Sequence, residues 1–243
     1  MVFSDTVTNL GIVQQVRNLL RVDSTQYPTS RIVNSVNNWL DFVTGYAIGA
    51  DKKFRFDDTN HTKLPIGTTN LVANQREYSF LTDEQGNRIL TLTRIDVKDS
   101  AGIWQELKPI DQAEISPSAL DEFMKTSSKP IYYDKISDNV IRLYPASDTT
   151  VSGGLKFYFQ RTPSYFTASD TTKEPGVAAT LHRGAVIFAA YDGALSLGLP
   201  NLQALSVERA TEEERMKEYF QSRNEDERPV MRAKLLRGAD SAR

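Results

Sequence analysis

Two histidines, no cysteine and many scattered carboxylates limit the chemistry open to this chain. His61 closes the string Asp57-Asp58-Thr59-Asn60-His61, in which two carboxylates and an imidazole could ligate a divalent metal. No second histidine or cysteine stands near it in sequence, so a polar loop accounts for the string, and no metal or other cofactor is expected. His182, beside Arg183, is expected at a surface or interface rather than as a general base. Ser152-Gly153-Gly154 lacks the flanks of a nucleophile elbow and reads as a turn before a strand. There is no phosphate loop and no dinucleotide fingerprint. Nor does any spacing bring two carboxylates together for glycoside hydrolysis. The aromatics Tyr132, Tyr133, Tyr144, Phe157, Tyr158, Phe159, Tyr165 and Phe166 could build a sugar platform, but their strand-like spacing fits a core. With no catalytic constellation, the chain is expected not to be an enzyme.

The last residues carry a different kind of chemistry. Arg228, Arg232, Lys234, Arg237 and Arg243 accompany the apolar Val230, Met231, Leu235 and Leu236, without a sustained helical stripe or strand alternation. Residues 228–243 hold one acid, Asp240, and so carry +4, which leaves −6 on the other 227 residues. A basic appendage on an acidic body fits a partner surface of opposite sign, or a solvated tail.

The elements that must position these groups follow from periodicity. Leu10, Val13, Val16 and Leu20 predict a first helix, with Thr8 or Asn9 available to cap it. After Thr29 and Ser30, a stripe of Ile32/Val33, Val36, Trp39/Leu40, Val43 and Tyr46/Ala47 predicts a second helix ended by Gly49. From Asp51 to about Phe166 short strands and turns take over. Phe54 and Phe56 alternate with charges, and Tyr78 to Phe80 follows a loop. Ile89, Thr91, Thr93, Ile95 and Val97 alternate against Leu90, Leu92, Arg94 and Asp96. Ile103 to Leu107 pairs back across Asp99 to Gly102. Ile131 to Tyr133 and Val140 to Tyr144 flank a hairpin turn, and Gly154 to Arg161 directs Leu155, Phe157 and Phe159 to one face. Ile110 to Met124 alone looks locally helical.

After Pro175 helix returns. It is slim, with Gly184 and Gly193 among its alanines, and places Leu181, Ala185, Phe188/Ala189 and Leu195 on one face. A final helix from Asn201 to about Arg223 turns Leu202, Leu205, Met216 and Phe220 inward and sets Glu213 four before Lys217. The predicted fold is α+β. A helical bundle built from the N- and C-terminal helices (1–50 and 167–223) carries an inserted antiparallel β domain, sandwich- or barrel-like, at 51–166, and an arm at 224–243. No run approaches a membrane span, and the first residues lack the signature of a signal peptide, so synthesis in the cytoplasm is expected.

Gln75-Arg-Glu-Tyr-Ser-Phe80, followed by Asp83 and by Arg88 to Val97, resembles the β module of bacteriophage head-to-tail adaptor (neck) proteins, in style those of short-tailed phages. Pro130 to Tyr133, Val140 to Pro145, Leu155 to Arg161 with Pro163, and the small-residue helix after Glu174-Pro175 are similar too. The resemblance spans roughly residues 30 to 200. It implies a structural virion protein of the neck, with no substrate. Such adaptors form a ring, commonly dodecameric, below the portal protein, extend the channel for double-stranded DNA without reading its sequence, and offer a surface to tail and nozzle proteins. In several of them a C-terminal extension embraces the portal. That implies a portal-binding role for Arg228, Val230, Met231, Arg232, Lys234, Leu235, Leu236, Arg237 and Arg243. A head-completion or tail-tube position is the alternative, and a carbohydrate-binding or hydrolytic tail module a more distant one.

Overall fold

The computed structural model describes residues 1–50, 66–83, 86–110 and 125–222. The expected strand at Phe54 and Phe56, the Asp57–His61 string, the helix expected up to Met124 and the arm from Asn224 lie outside the described residues. Within them the chain is mixed α+β, with four helices and two sheets.

Helix α1 (Ile12–Leu20) buries Ile12, Val13, Val16 and Leu20. Leu10, expected on this stripe, is instead 63% exposed. Gly11 explains the shift: a Cβ there would stand 2.4 Å from the Asp5 backbone nitrogen, so the chain doubles back tightly and the helix starts only at Ile12. Thr8 and Asn9 do not cap it; they sit in a turn whose amides, Val7 and Thr8, donate to the Asp5 carboxylate.

Helix α2 (Thr29–Ala50) buries Ile32, Val33, Val36, Trp39, Leu40, Val43 and Ala47, the stripe expected of it. Gly49 does not end it but lies within it. Helix α3 (His182–Leu197) begins after a 3₁₀ turn at Ala179–Leu181 and is closed by Gly198 in the left-handed region, φ +64°. It is buried on most sides, and Ala194 points inward where Leu195 was expected; Leu195 is 58% exposed. Helix α4 (Leu202–Ser222) turns Leu205, Met216 and Phe220 inward as expected. On its outer side Glu213 pairs with Arg209, and Lys217 with Glu214, in place of the expected Glu213–Lys217 pair.

Each of α1, α2 and α4 packs on α3. The glycines make this close approach feasible. A Cβ on Gly184 would fall 2.9 Å from Trp39 Nε1, and one on Gly193 would fall 2.6 Å from Leu20 Cδ1 and 3.0 Å from the Tyr27 ring. Two large aromatics thus rest directly on the α3 backbone.

Among the described residues eight strands form two four-stranded sheets. The first has the order β1 (Ile66–Leu71), β8 (Val151–Arg161), β3 (Ile89–Lys98), β4 (Trp104–Glu106), all antiparallel. The second has the order β2 (Glu77–Ser79), β7 (Val140–Tyr144), β6 (Tyr132–Ser137), β5 (Lys108–Pro109), with β5 parallel to β6. Leu71, Ile95, Val97, Leu155, Phe157 and Phe159 from the first and Tyr78, Ile141 and Leu143 from the second meet in one apolar core. That core shares no residue with the helical one.

Strand β3 breaks the expected alternation. Its register against β8 slips between Ile89 and Thr91 and again between Leu92 and Arg94, and each slip exchanges the two faces of the strand. Ile89, Leu92, Ile95 and Val97 therefore reach the core, while Thr91 and Thr93 are exposed.

His182 is not a surface residue: it is 2% exposed. Its Nδ1 lies 2.8 Å from the Met1 ammonium, which can only donate, so Nδ1 accepts and Nε2–H donates to the Val177 carbonyl at 3.0 Å. Burial, with the ammonium adding to it, holds the imidazole below its ordinary pKa of 6.5. Above that ordinary value both states are neutral and the stability of the site is complete. Below it the unfolded chain takes a proton that the folded chain resists, so stability falls.

Two outcomes are expected in melts and urea titrations. Gly184→Ala and Gly193→Ala should each lose about 1–3 kcal/mol through overpacking, despite alanine's better helix propensity. The thermal midpoint should fall between about pH 7.5 and 5.5, and His182→Gln should flatten that slope.

Candidate assembly surface

The nine arm residues singled out by sequence, Arg228 to Arg243, lie outside the described residues, and so does His61. Among the described residues no three His, Asp or Glu side chains gather as a metal site would require. Ser152-Gly153-Gly154, expected as a turn before a strand, lies within β8 instead, where the register against β1 shifts between Thr69 and Leu71; Gly153 has φ +57° and its amide donates to Asn70 Oδ1 at 2.9 Å. Of the aromatic set, Tyr144, Phe157, Phe159 and Phe166 are buried. They are core, not a platform.

Three built surfaces remain. The first is a groove of about 660 Å³ lined by Asp41, Phe42, Gly45, Tyr46 and Gly49 of α2 and by Lys217, Phe220 and Gln221 of α4. Phe42 meets Tyr46 edge-on at 4.7 Å and tilts onto Phe188 at 5.4 Å, which fixes the aromatic wall. The Lys217 ammonium sits 5.8 Å from the Tyr46 ring. Gln221 lies one residue before the end of α4, so the chain leaves the described structure at the rim of this groove.

The second surface is the outer face of the first sheet. Asp96 is 2% exposed, although charged. It is held by a two-pronged contact from Arg94, at 2.7 Å from Nε and 3.1 Å from Nη2. Tyr158 lies 5.3 Å below the same guanidinium. Beside them Trp104 is approached by Lys156 at 4.0 Å and Lys98 at 5.7 Å. The result is a stiff face of mixed charge rather than a polyanion or polycation track.

The third is a polar clasp where the strands hand over to the helices. Arg161, 3% exposed, ends β8 and faces Asp83 at 3.4 Å. It also donates to the Thr162 carbonyl and Ser164 Oγ. Asp83 in turn accepts from the amide and side chain of Asn87, at 2.7 and 3.0 Å. Four residues later the chain is caught by α2. Asn37 Nδ2 donates to the Phe166 carbonyl at 3.0 Å, and the Phe166 amide donates to Asn37 Oδ1 at 2.8 Å. Tyr165 donates its hydroxyl to Asp41, and desolvation together with that carboxylate pushes its pKa up to about 12.

Asn37 and Asp41 were missed by sequence reasoning, because a polar residue opposite an apolar stripe reads as solvent-facing. Asp83 and Arg161 did stand out in the resemblance, though their pairing did not.

Breaking the clasp at Asp83 should be costly. Asp83→Asn leaves a buried guanidinium without this carboxylate, and the loss should be about 3 kcal/mol in urea denaturation. That is the low end for a broken buried pair, since Thr162 and Ser164 retain two of the donors.

The described residues thus offer a groove, a mixed-charge sheet face and a polar clasp. A search of curated proteins returned no match. The family model described as SU10 adaptor protein matches residues 8–234, from the turn before α1 through both sheets and the four described helices, and on as far as Lys234. With nearly its whole length so matched, the chain belongs to the SU10 adaptor protein family, a family of phage adaptors.

Proposed function

We propose that this structural phage protein is a head-to-tail adaptor that assembles as a ring below the portal protein, extends the DNA channel and presents the tail attachment surface. The observation that carries the reading is the family match over residues 8–234, which continues past α4 into the basic segment. It works by geometry and interfaces, with no substrate. On this reading the helices form a bundle that bears the β region as an insertion. The clasp from Arg161 to Asn37 keeps the two at a fixed attitude, which a ring of identical copies requires.

The arm fits a docking role by its composition. Burying Val230, Met231, Leu235 and Leu236 contributes about 1–3 kcal/mol each before ordering costs. Arg228, Arg232 and Arg237 add paired contacts to carboxylates. One arm is weak, but arms arrayed in a ring gain by multivalency. The acidic remainder of the chain suits a lumen through which double-stranded DNA slides without adhering.

The test is binding to the portal protein encoded beside this chain, with and without residues 225–243, read by mass and negative-stain images. Rings on the portal with the full chain only are expected. Binding by both chains would keep the adaptor and remove the arm's role, and binding by neither would move the chain to another position in the virion.

A further inference from the structure

The turn between β3 and β4 is built to hold its shape. The Asp99 amide donates to the Ile103 carbonyl at 3.0 Å, and the Gly102 amide donates to the Asp99 carbonyl at 3.0 Å. Asp99 Oδ1 accepts from the Ile103 amide at 2.8 Å, and Oδ2 accepts from Lys129 at 3.0 Å. Gly102, at φ +85°, takes the left-handed position in the turn. What this rigid tip presents is Ile103, 64% exposed, next to Trp104. Lys98 and Lys156 approach the Trp104 ring, and among the described residues neither is ion-paired with a carboxylate. An exposed aliphatic side chain on a preorganised turn, beside two unmatched ammoniums, has the make-up of an interface anchor. Val7 and Leu10 are comparably bare, but the one charge in their turn, Asp5, is taken up by the amides of Val7 and Thr8.

The groove between α2 and α4 has the complementary form. Gly45 and Gly49 line it, four residues apart on α2, and a Cβ on either would meet nothing within 4 Å. Glycine weakens a helix interior, and here, unlike at Gly184 and Gly193, no close packing offsets the loss. Phe42, Tyr46 and Phe220 give the space of about 660 Å³ its apolar wall. Asp41 lines it as well, and Glu214 pairs with Lys217 at its edge. Glu218 stands three residues before the lining Gln221, on the same side of α4. Three carboxylates thus accompany one ammonium at the groove, where the turn carries two ammoniums.

A chain does not seat its own turn in its own groove. The residues that line the groove belong to α2 and α4, and Asp41 is also the clasp's partner for Tyr165. Arg161, at the clasp, pairs with Ile89, the first residue of β3. The turn follows the last residue of that strand, nine steps and about 30 Å farther along. The occupant is therefore a second copy of the chain.

We propose that the β3–β4 turn of one copy seats Ile103 over Gly45 and Gly49 of the next, against Phe42, Tyr46 and Phe220. Lys98 and Lys156 then meet Asp41, Glu214 and Glu218. Two different patches make this contact, so each copy keeps a turn or a groove for a further copy, and repetition closes a ring or runs on as a filament. The contact deepens the ring reading and rests on it for closure alone.

The chain has no cysteine, so Ala101→Cys places a single nitroxide on the exposed turn and keeps Ile103. Labelled full-length chain is mixed with isotope-enriched chain of unchanged sequence, whose amide signals are read. At about 1 mM of each a contact of millimolar Kd is well populated, and the Phe42 and Tyr46 amides should lose about half their signal when the label is oxidised. Ile103→Asp on the labelled chain should restore that signal. So should Gly45→Gln with Gly49→Gln on the observed chain, which fills open space at no cost to the core. No loss at the groove, or a loss that survives either change, would overturn the proposal. Rings on the portal without a groove signal would keep the adaptor reading and remove this contact. A groove signal without portal binding would keep the contact and remove that reading.

Discussion

The thinness of α3 is the constraint on which the helical half rests. Three helices contact one, and a helix with side chains on all sides could not receive Trp39, Leu20 and Tyr27 at the distances observed. Glycine at 184 and 193 trades helix propensity for contact, and dispersion among closely packed atoms returns more than was lost. The same closeness accounts for the buried imidazole at the start of α3. Once the helix sits so deep, its first side chain has no route to water and must find partners in the N-terminal segment and the Val177 carbonyl.

Among the described residues, polar groups tie the strand region to this frame. Its core is separate, and the connection runs through Arg161, Asp83, Asn87 and Ser164 to Asn37 and Asp41. Directional hydrogen bonds fix an angle better than an oily contact does.

Where sequence was legible, local pattern and final burial agreed. The α2 stripe, the β3–β4 turn at Asp99 to Gly102 and the β6–β7 pair were all readable because each depends on neighbours in the chain. Where it misled, the deciding contact came from elsewhere. Thr91 and Thr93 face outward because of β8, more than sixty residues away, which sets two bulges that no alternation reveals. Leu10 lost its place to Ile12 because Gly11 abuts Asp5. His182 looked superficial because its partner Met1 is 181 residues distant. The groove was hidden for a different reason: Gly49 reads as a stop signal, and only the extent of α2 shows it to be a floor. The cluster of basic residues from Arg228 onward is visible in composition alone, while the groove needed the paths of α2 and α4.

The helical core also has a history built into its connectivity. Helix α1 contacts α3, and α2 contacts α3 and α4, across the whole strand region. During synthesis, roughly 130 residues separate the end of α2 from the start of α3, and at about 5–20 residues per second that interval lasts on the order of 10 s. Throughout it, the stripe from Ile32 to Ala47 has been made and its partner has not. The strands, whose pairings close within residues 66 to 161, can assemble in that time. The helices can only wait, which makes the nascent N-terminal pair the stage at which this chain most needs shielding from its neighbours.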